Sequence, residues 1–177
     1  MTCIVAVEHE SGVILGADSF VGDGSTADLT AEPKIDRHGD IAIGWCGSIL
    51  IATWMRQLSL PKRKRAQDPR SYVGALAMSL REAAIEAKIA TSDGASPSSE
   101  SFLLVACGGG AWTIQPDFSV YRSAYGYASI GAGADYALGA LTVSRGSPRH
   151  RVRAALHAAA RHSPAVRGPF HLVEVPR

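Results

Sequence analysis

The residue with the most distinctive chemistry stands second in the chain. Thr2 follows Met1, and a side chain that small is the kind that permits removal of the initiator methionine. Removal frees an α-amino group on the residue that also carries a hydroxyl. Such a threonine holds nucleophile and base together: Oγ1 attacks, and the amine, whose reference pKa is about 7.7 to 8.0, takes the proton. No histidine is needed. With Met1 retained, Thr2 is a β-branched residue of the sort that opens many strands. A carboxylate, Asp18, closes the same stretch.

Two apolar runs flanking Ser11 and Gly12 must position these residues, and they read as a β-hairpin. A turn near Ser11 brings Thr2 opposite a residue between 18 and 21, which sets Asp18 near the N-terminus. Cys3, next along the strand, points to the opposite face and into the core.

Residues 21–28 are polar and Gly-rich, as in a surface loop or extended arm. Residues 31–35 and 41–47 flank a turn at 36–40 and read as a second hairpin, expected to add two strands to the same sheet. Helices follow at 48–58, with Leu50, Ile51, Trp54, Met55 and Leu58 on one face, and at 71–90, with Val73, Leu76, Leu80 and Ala84 at helical spacing. A loop of Ser, Pro and Gly covers 92–100. A third hairpin spans 101–107 and 111–115 across three glycines, and 119–123 and 127–131 offer further strand. Helices at 134–144 and 149–162 precede a closing strand at 170–175. Strands, helix pair, strands, helix pair and strand fit a single α+β domain over 1–177: a four-layer αββα sandwich with antiparallel sheets and outer helix pairs.

Composition narrows the function. Hydrophobic residues at 46% and charged residues at 19% suit a globular protein, and no apolar run approaches the roughly 18 residues that span a bilayer. No basic leader precedes the first hairpin, so a soluble cytoplasmic protein without membrane partners is expected. A net charge of +2 is too mild to make nucleic acid a partner. The basic run at 62–65 reads as a solvated loop between helices. Cys3, Cys46 and Cys107 form no CxxC pair and no cluster with the histidines, so reduced thiols, no metal and no cofactor are expected.

Five segments in this order resemble the proteasome β-subunit family of N-terminal-nucleophile hydrolases. They are residues 2–7, 12–19, 34–35, 43–48 and 131–140, and together they extend over most of the chain. In size the chain is closest to the family's short bacterial peptidase, which partners an ATP-driven unfoldase. The resemblance implies the N-terminal-nucleophile hydrolase fold, Thr2 as nucleophile, Lys34 as the cation beside it and Asp18 as the carboxylate that holds the lysine. It also implies Gly47 as the backbone donor to the carbonyl oxygen under attack and Trp45 as a wall of the side-chain pocket, a core tryptophan being the other reading. An ammonium beside Thr2 stabilises the developing alkoxide and keeps the terminal amine neutral. Two departures stand out. Ala132 occupies the middle of Gly131-Ala-Gly133, where the family has serine, and the family's late aspartate and serine have no evident counterpart, leaving His162 or Ser163 as substitutes.

The function implied is a threonine-type peptidase acting on peptides or unfolded proteins, assembled as a homo-oligomeric ring with an ATP-driven unfoldase as partner. Two other readings stay open: a small-molecule amidohydrolase on the same fold, and a catalytically silent structural subunit if Met1 is retained.

Overall fold

The computed structural model describes residues 1–22, 25–64, 66–90 and 97–177. In chain order the strands and helices are β1 (Ile4–His9), β2 (Gly12–Ala17), β3 (Phe20–Gly22), β4 (Ala27–Leu29), β5 (Ile35–His38), β6 (Ile41–Cys46), α1 (Ile49–Gln57) and α2 (Pro69–Glu86). They continue as β7 (Phe102–Cys107), β8 (Gly110–Ile114), β9 (Val120–Arg122), β10 (Tyr127–Ile130), α3 (Ala134–Val143), α4 (Pro148–His162) and β11 (His171–Pro176). Two antiparallel sheets face each other, one ordered β10-β1-β2-β11 and the other β5-β6-β7-β8-β9.

Strand alternation builds the layers. Ile4, Ala6, Val13, Leu15 and Ala17 point between the sheets, where they meet Ala42, Cys46, Leu104 and Ala106. The intervening residues Cys3, Val5, Val7 and Ile14 pack on Leu141, Val152 and Leu156 of α3 and α4. On the far side, Ile41, Ile43 and Trp45 pack on Met55 of α1 and on Val73, Leu76 and Leu80 of α2. The molecule is therefore the expected αββα sandwich. Covered on both faces, β2 and β6 are buried along their whole length.

Three differences from the sequence reading concern pairing and boundaries. The second hairpin does not extend the first sheet, because β10 and β11 occupy the free edges of β1 and β2, and β5-β6 instead begins the facing sheet. Its first strand covers Ile35–His38 rather than 31–35. The passage read as a surface loop or extended arm carries β3 and β4 as a two-stranded ribbon, with Phe20 opposite Leu29; Asp23 and Gly24 lie outside the described residues. Helix ends follow local caps: Ser48 accepts from Leu50 N at the start of α1, and Asp68 starts α2 just ahead of Pro69. Of the basic run, Arg63 pairs with Asp40 at 3.1 Å, and Arg65 lies outside the described residues. Residues 91–96 of the Ser-rich loop do as well. No described helix is long and apolar enough to cross a membrane.

Candidate active site

The first hairpin carries its two ends together. Ile4 pairs with Ala17, and just beyond that pair Asp18 N donates to Cys3 O at 3.2 Å while Cys3 N donates to Asp18 Oδ1 at 2.9 Å. Two more backbone donors fix the other carboxylate oxygen: Phe20 N at 3.0 Å and Arg167 N at 3.4 Å reach Oδ2. Asp18 is thus held by three segments of chain before any side chain arrives.

Lys34 stands immediately before β5, on the facing sheet, and crosses to this carboxylate. Its Nζ lies 3.0 Å from Asp18 Oδ1, 3.1 Å from Thr2 Oγ1 and 2.5 Å from Phe20 O, with Met1 O farther off at 3.4 Å. Thr2, Asp18 and Lys34 are 2%, 0% and 1% exposed. Burial pushes the Lys34 ammonium below the ordinary lysine range, and the charge of Asp18 opposes that shift. A buried ion pair is weak evidence of stability, since desolvation offsets most of the attraction. Here the pair delivers a cation to a hydroxyl.

The Thr2 carbonyl is clamped as well. It accepts from Gly133 N at 3.2 Å, and Gly131, at φ +95°, comes so close that a Cβ there would collide with it. A side chain at 131 would displace the threonine. Thr2 Oγ1 also touches Met1 O; while Met1 is attached the Thr2 nitrogen is an amide and cannot serve as a base.

A cavity of about 410 Å³ opens on Thr2, lined by Met1, Cys46, Gly47, Glu100, Phe102 and Tyr121 on one side and by Ser129 to Ala132 and Ala134 on the other. Gly47 has φ +117°, and a Cβ at that position would collide with Ser101 Oγ and stand 2.9 Å from Glu100 O, so the turn into α1 requires glycine. Burial raises the pKa of the Cys46 thiol in the wall and pushes that of Cys3, on the opposite face of β1, up to about 12.

The structure brings Thr2, Asp18 and Lys34 within hydrogen-bond reach and sets Gly47 in the cavity wall. Trp45 is not among the cavity's lining residues. It shares parity with Ile41 and Ile43 and packs in the core beneath α1 and α2. The His162 ring lies tilted against that of Tyr136, with centroids 5.7 Å apart, and Ser163 Oγ accepts from Ala165 N after α4; neither forms a hydrogen bond with Thr2 among the described residues. Sequence reasoning overlooked Ser129, which lines the cavity and donates to Ile4 O at 2.8 Å. The pairing of β10 with β1 puts it there, and a lone serine in a strand gives no such signal. Among the described residues no group of three or more His, Cys, Asp or Glu is placed to hold a metal ion.

Two antiparallel sheets between helix pairs, with a threonine at the head of the first strand, constitute the N-terminal-nucleophile hydrolase fold. Solved structures share it. BPH from Thiobacillus denitrificans, in complex with epoxomicin, is similar over 98% of both chains with a TM-score of 0.80 at 20% identity. Eukaryotic HslV from Trypanosoma brucei is similar over 99% of both chains with a TM-score of 0.70 at 20% identity. Anbu, an ancestral β-subunit from Yersinia bercovieri, is similar over 98% of this chain and 81% of its own, with a TM-score of 0.69 at 14% identity. No protein-family model matches the chain, and no curated protein matches it by sequence.

Proposed function

We propose that the protein is a threonine-type peptidase that becomes active once Met1 is removed. The observation that carries this reading is the buried line Thr2 Oγ1, Lys34 Nζ, Asp18 Oδ1, with spacings of 3.1 and 3.0 Å. In the proposed reaction the freed α-amine takes the Thr2 hydroxyl proton as Oγ1 attacks the peptide carbonyl. The Lys34 ammonium stabilises the oxygen as its negative charge grows, and the backbone N–H of Gly47 serves the carbonyl oxygen, a donor of the kind worth about 3 to 4 kcal/mol of barrier. The C–N bond breaks, the amine passes its proton to the leaving nitrogen, and an ester to Thr2 remains. Water, deprotonated by the same amine, then hydrolyses the ester and restores the hydroxyl.

Asp18 has a positioning role in this scheme. Its two oxygens hold the ends of the hairpin and the lysine at once, which fixes a long and flexible side chain where the alkoxide forms. Peptide or unfolded-protein substrates, a homo-oligomeric ring and an ATP-driven unfoldase partner belong to the same proposal. The helical assembly described for the Anbu complex of Pseudomonas aeruginosa, similar to this chain with a TM-score of 0.71 at 14% identity, supports association of copies.

Intact-mass measurement of the purified protein, before and after incubation with epoxomicin, tests the mechanism. The expected masses are those of a chain lacking one methionine and of its epoxomicin adduct, with no adduct on Thr2→Ala. Full-length mass alone, or an adduct that survives Thr2→Ala, counts against it.

A further inference from the structure

We infer that Glu100 makes the Thr2 cavity selective for a basic side chain, lysine or arginine, next to the bond being cleaved. The inference rests on the peptidase reading for what is cleaved, but its geometry stands independently. Among the described residues Glu100 supplies the one carboxylate lining the cavity, and no lysine, arginine or histidine lines it. Glu100 is exposed, and among the described residues its carboxylate has no hydrogen-bond or ion-pair partner, whereas Glu8, Asp18, Asp36 and Asp40 are each engaged by a cation.

The backbone is arranged around this residue. Glu100 has φ +55°, a left-handed conformation uncommon for a residue with a long side chain. Its neighbours hold it there: Glu100 N and Ser101 N donate to Ser98 Oγ and Ser99 Oγ, both at 3.4 Å, and Ser99 N donates to Pro116 O at 3.0 Å. The Glu100 carbonyl oxygen would stand 2.9 Å from a Cβ at Gly47, so the two backbones run close together in the cavity wall. Backbone strain of this type concentrates at functional sites.

The aromatic residues of the same cavity suit the rest of a basic side chain. Phe102 and Tyr121 both line the cavity and keep exposed rings. An arginine or lysine stem lies well along aromatic faces, its cationic head draws on the ring quadrupole, and the carboxylate completes a charge-assisted pair. A neutral side chain gains the apolar contact alone.

Binding, read without turnover, tests the assignment. In a Thr2→Ala background, where residue 2 remains small enough for Met1 removal and mass confirms it, two peptides are titrated. One carries a central arginine, and the other carries citrulline, its neutral isostere. The arginine peptide is expected to bind about threefold more tightly, the scale of one partly solvated charge pair. The ratio should fall towards one in Thr2→Ala/Glu100→Gln and persist in Thr2→Ala/Glu82→Gln, a substitution on the exposed face of α2. A ratio near one before Glu100 is changed, a ratio that survives Glu100→Gln, or no measurable binding of either peptide overturns the inference. Failure of the processed wild-type protein to hydrolyse any peptide, with the arginine preference intact, counts against the peptidase reading alone.

Discussion

Two carboxylate and cation pairs tie the facing sheets at opposite ends of β1, and they differ in almost everything but composition. At the far end Glu8 receives Arg122 Nε at 2.8 Å and Nη2 at 2.5 Å, takes Ala111 N at 2.8 Å, and sits at the edge, with the two side chains 13% and 45% exposed. At the near end Asp18 and Lys34 are 0% and 1% exposed. The first pair performs the structural task with a two-point clasp from a cation that keeps much of its contact with solvent. The second incurs the full desolvation cost for the same bridge, and what it has that the first lacks is a hydroxyl within 3.1 Å of its cation. Burial of the second pair fits the proposed service to Thr2 better than a structural task alone.

Removing the hydroxyl should leave the near-end pair without a task. Thr2→Ala is expected to lower peptide hydrolysis at least about a thousandfold while the thermal midpoint stays close to that of the parent, as loss of a nucleophile does when the frame survives. Removing one partner separates the ends energetically. Lys34→Met leaves the Asp18 carboxylate buried without its cation and should cost about 3 to 5 kcal/mol in urea unfolding, with hydrolysis lost as well. Ala132→Ser probes how well the terminal amine is held: a hydroxyl at that position in the cavity wall should raise kcat about tenfold with KM little changed, the scale on which placement of a base acts.

Titration sharpens the contrast. Because burial lowers the Lys34 pKa from its ordinary 10.5, the proton leaves at lower pH than from a solvated lysine, and the ammonium beside Thr2 is lost as pH rises through that lowered value. The alkaline limb of the rate profile should therefore fall below 10.5 and should stay where it is in Arg122→Gln. That last variant should itself cost about 1 kcal/mol or less in unfolding, the range of partly solvated pairs, and leave hydrolysis unchanged. A larger loss there would place the two ends on equal structural footing and remove the contrast.

Much of this was readable from the chain. The opening hairpin placed Asp18 against the head of the first strand because a short turn leaves little freedom of register, and the order of strands and helices was enough for four layers. Sheet membership was not, since an antiparallel hairpin buried on both faces looks alike in either sheet, and only the occupied edges of β1 and β2 exclude β5. The place of Trp45 was readable, since alternation with Ile41 and Ile43 points it towards the helices. The Arg167 N–H that steadies Asp18 had no signature, because any non-proline residue carries the same donor. The Lys34 contact with Phe20 O was hidden for a similar reason, a backbone oxygen being common to every residue.

An ammonium has three hydrogens, and Lys34 faces four oxygens. The weakest of the four belongs to Met1. Excising that residue, as the proposed maturation does, leaves one acceptor for each N–H: a carboxylate, a backbone carbonyl and the threonine hydroxyl. Before that excision the Thr2 nitrogen is an amide and supplies no base, so in the proposed maturation one peptide bond both withholds the base and crowds the cation.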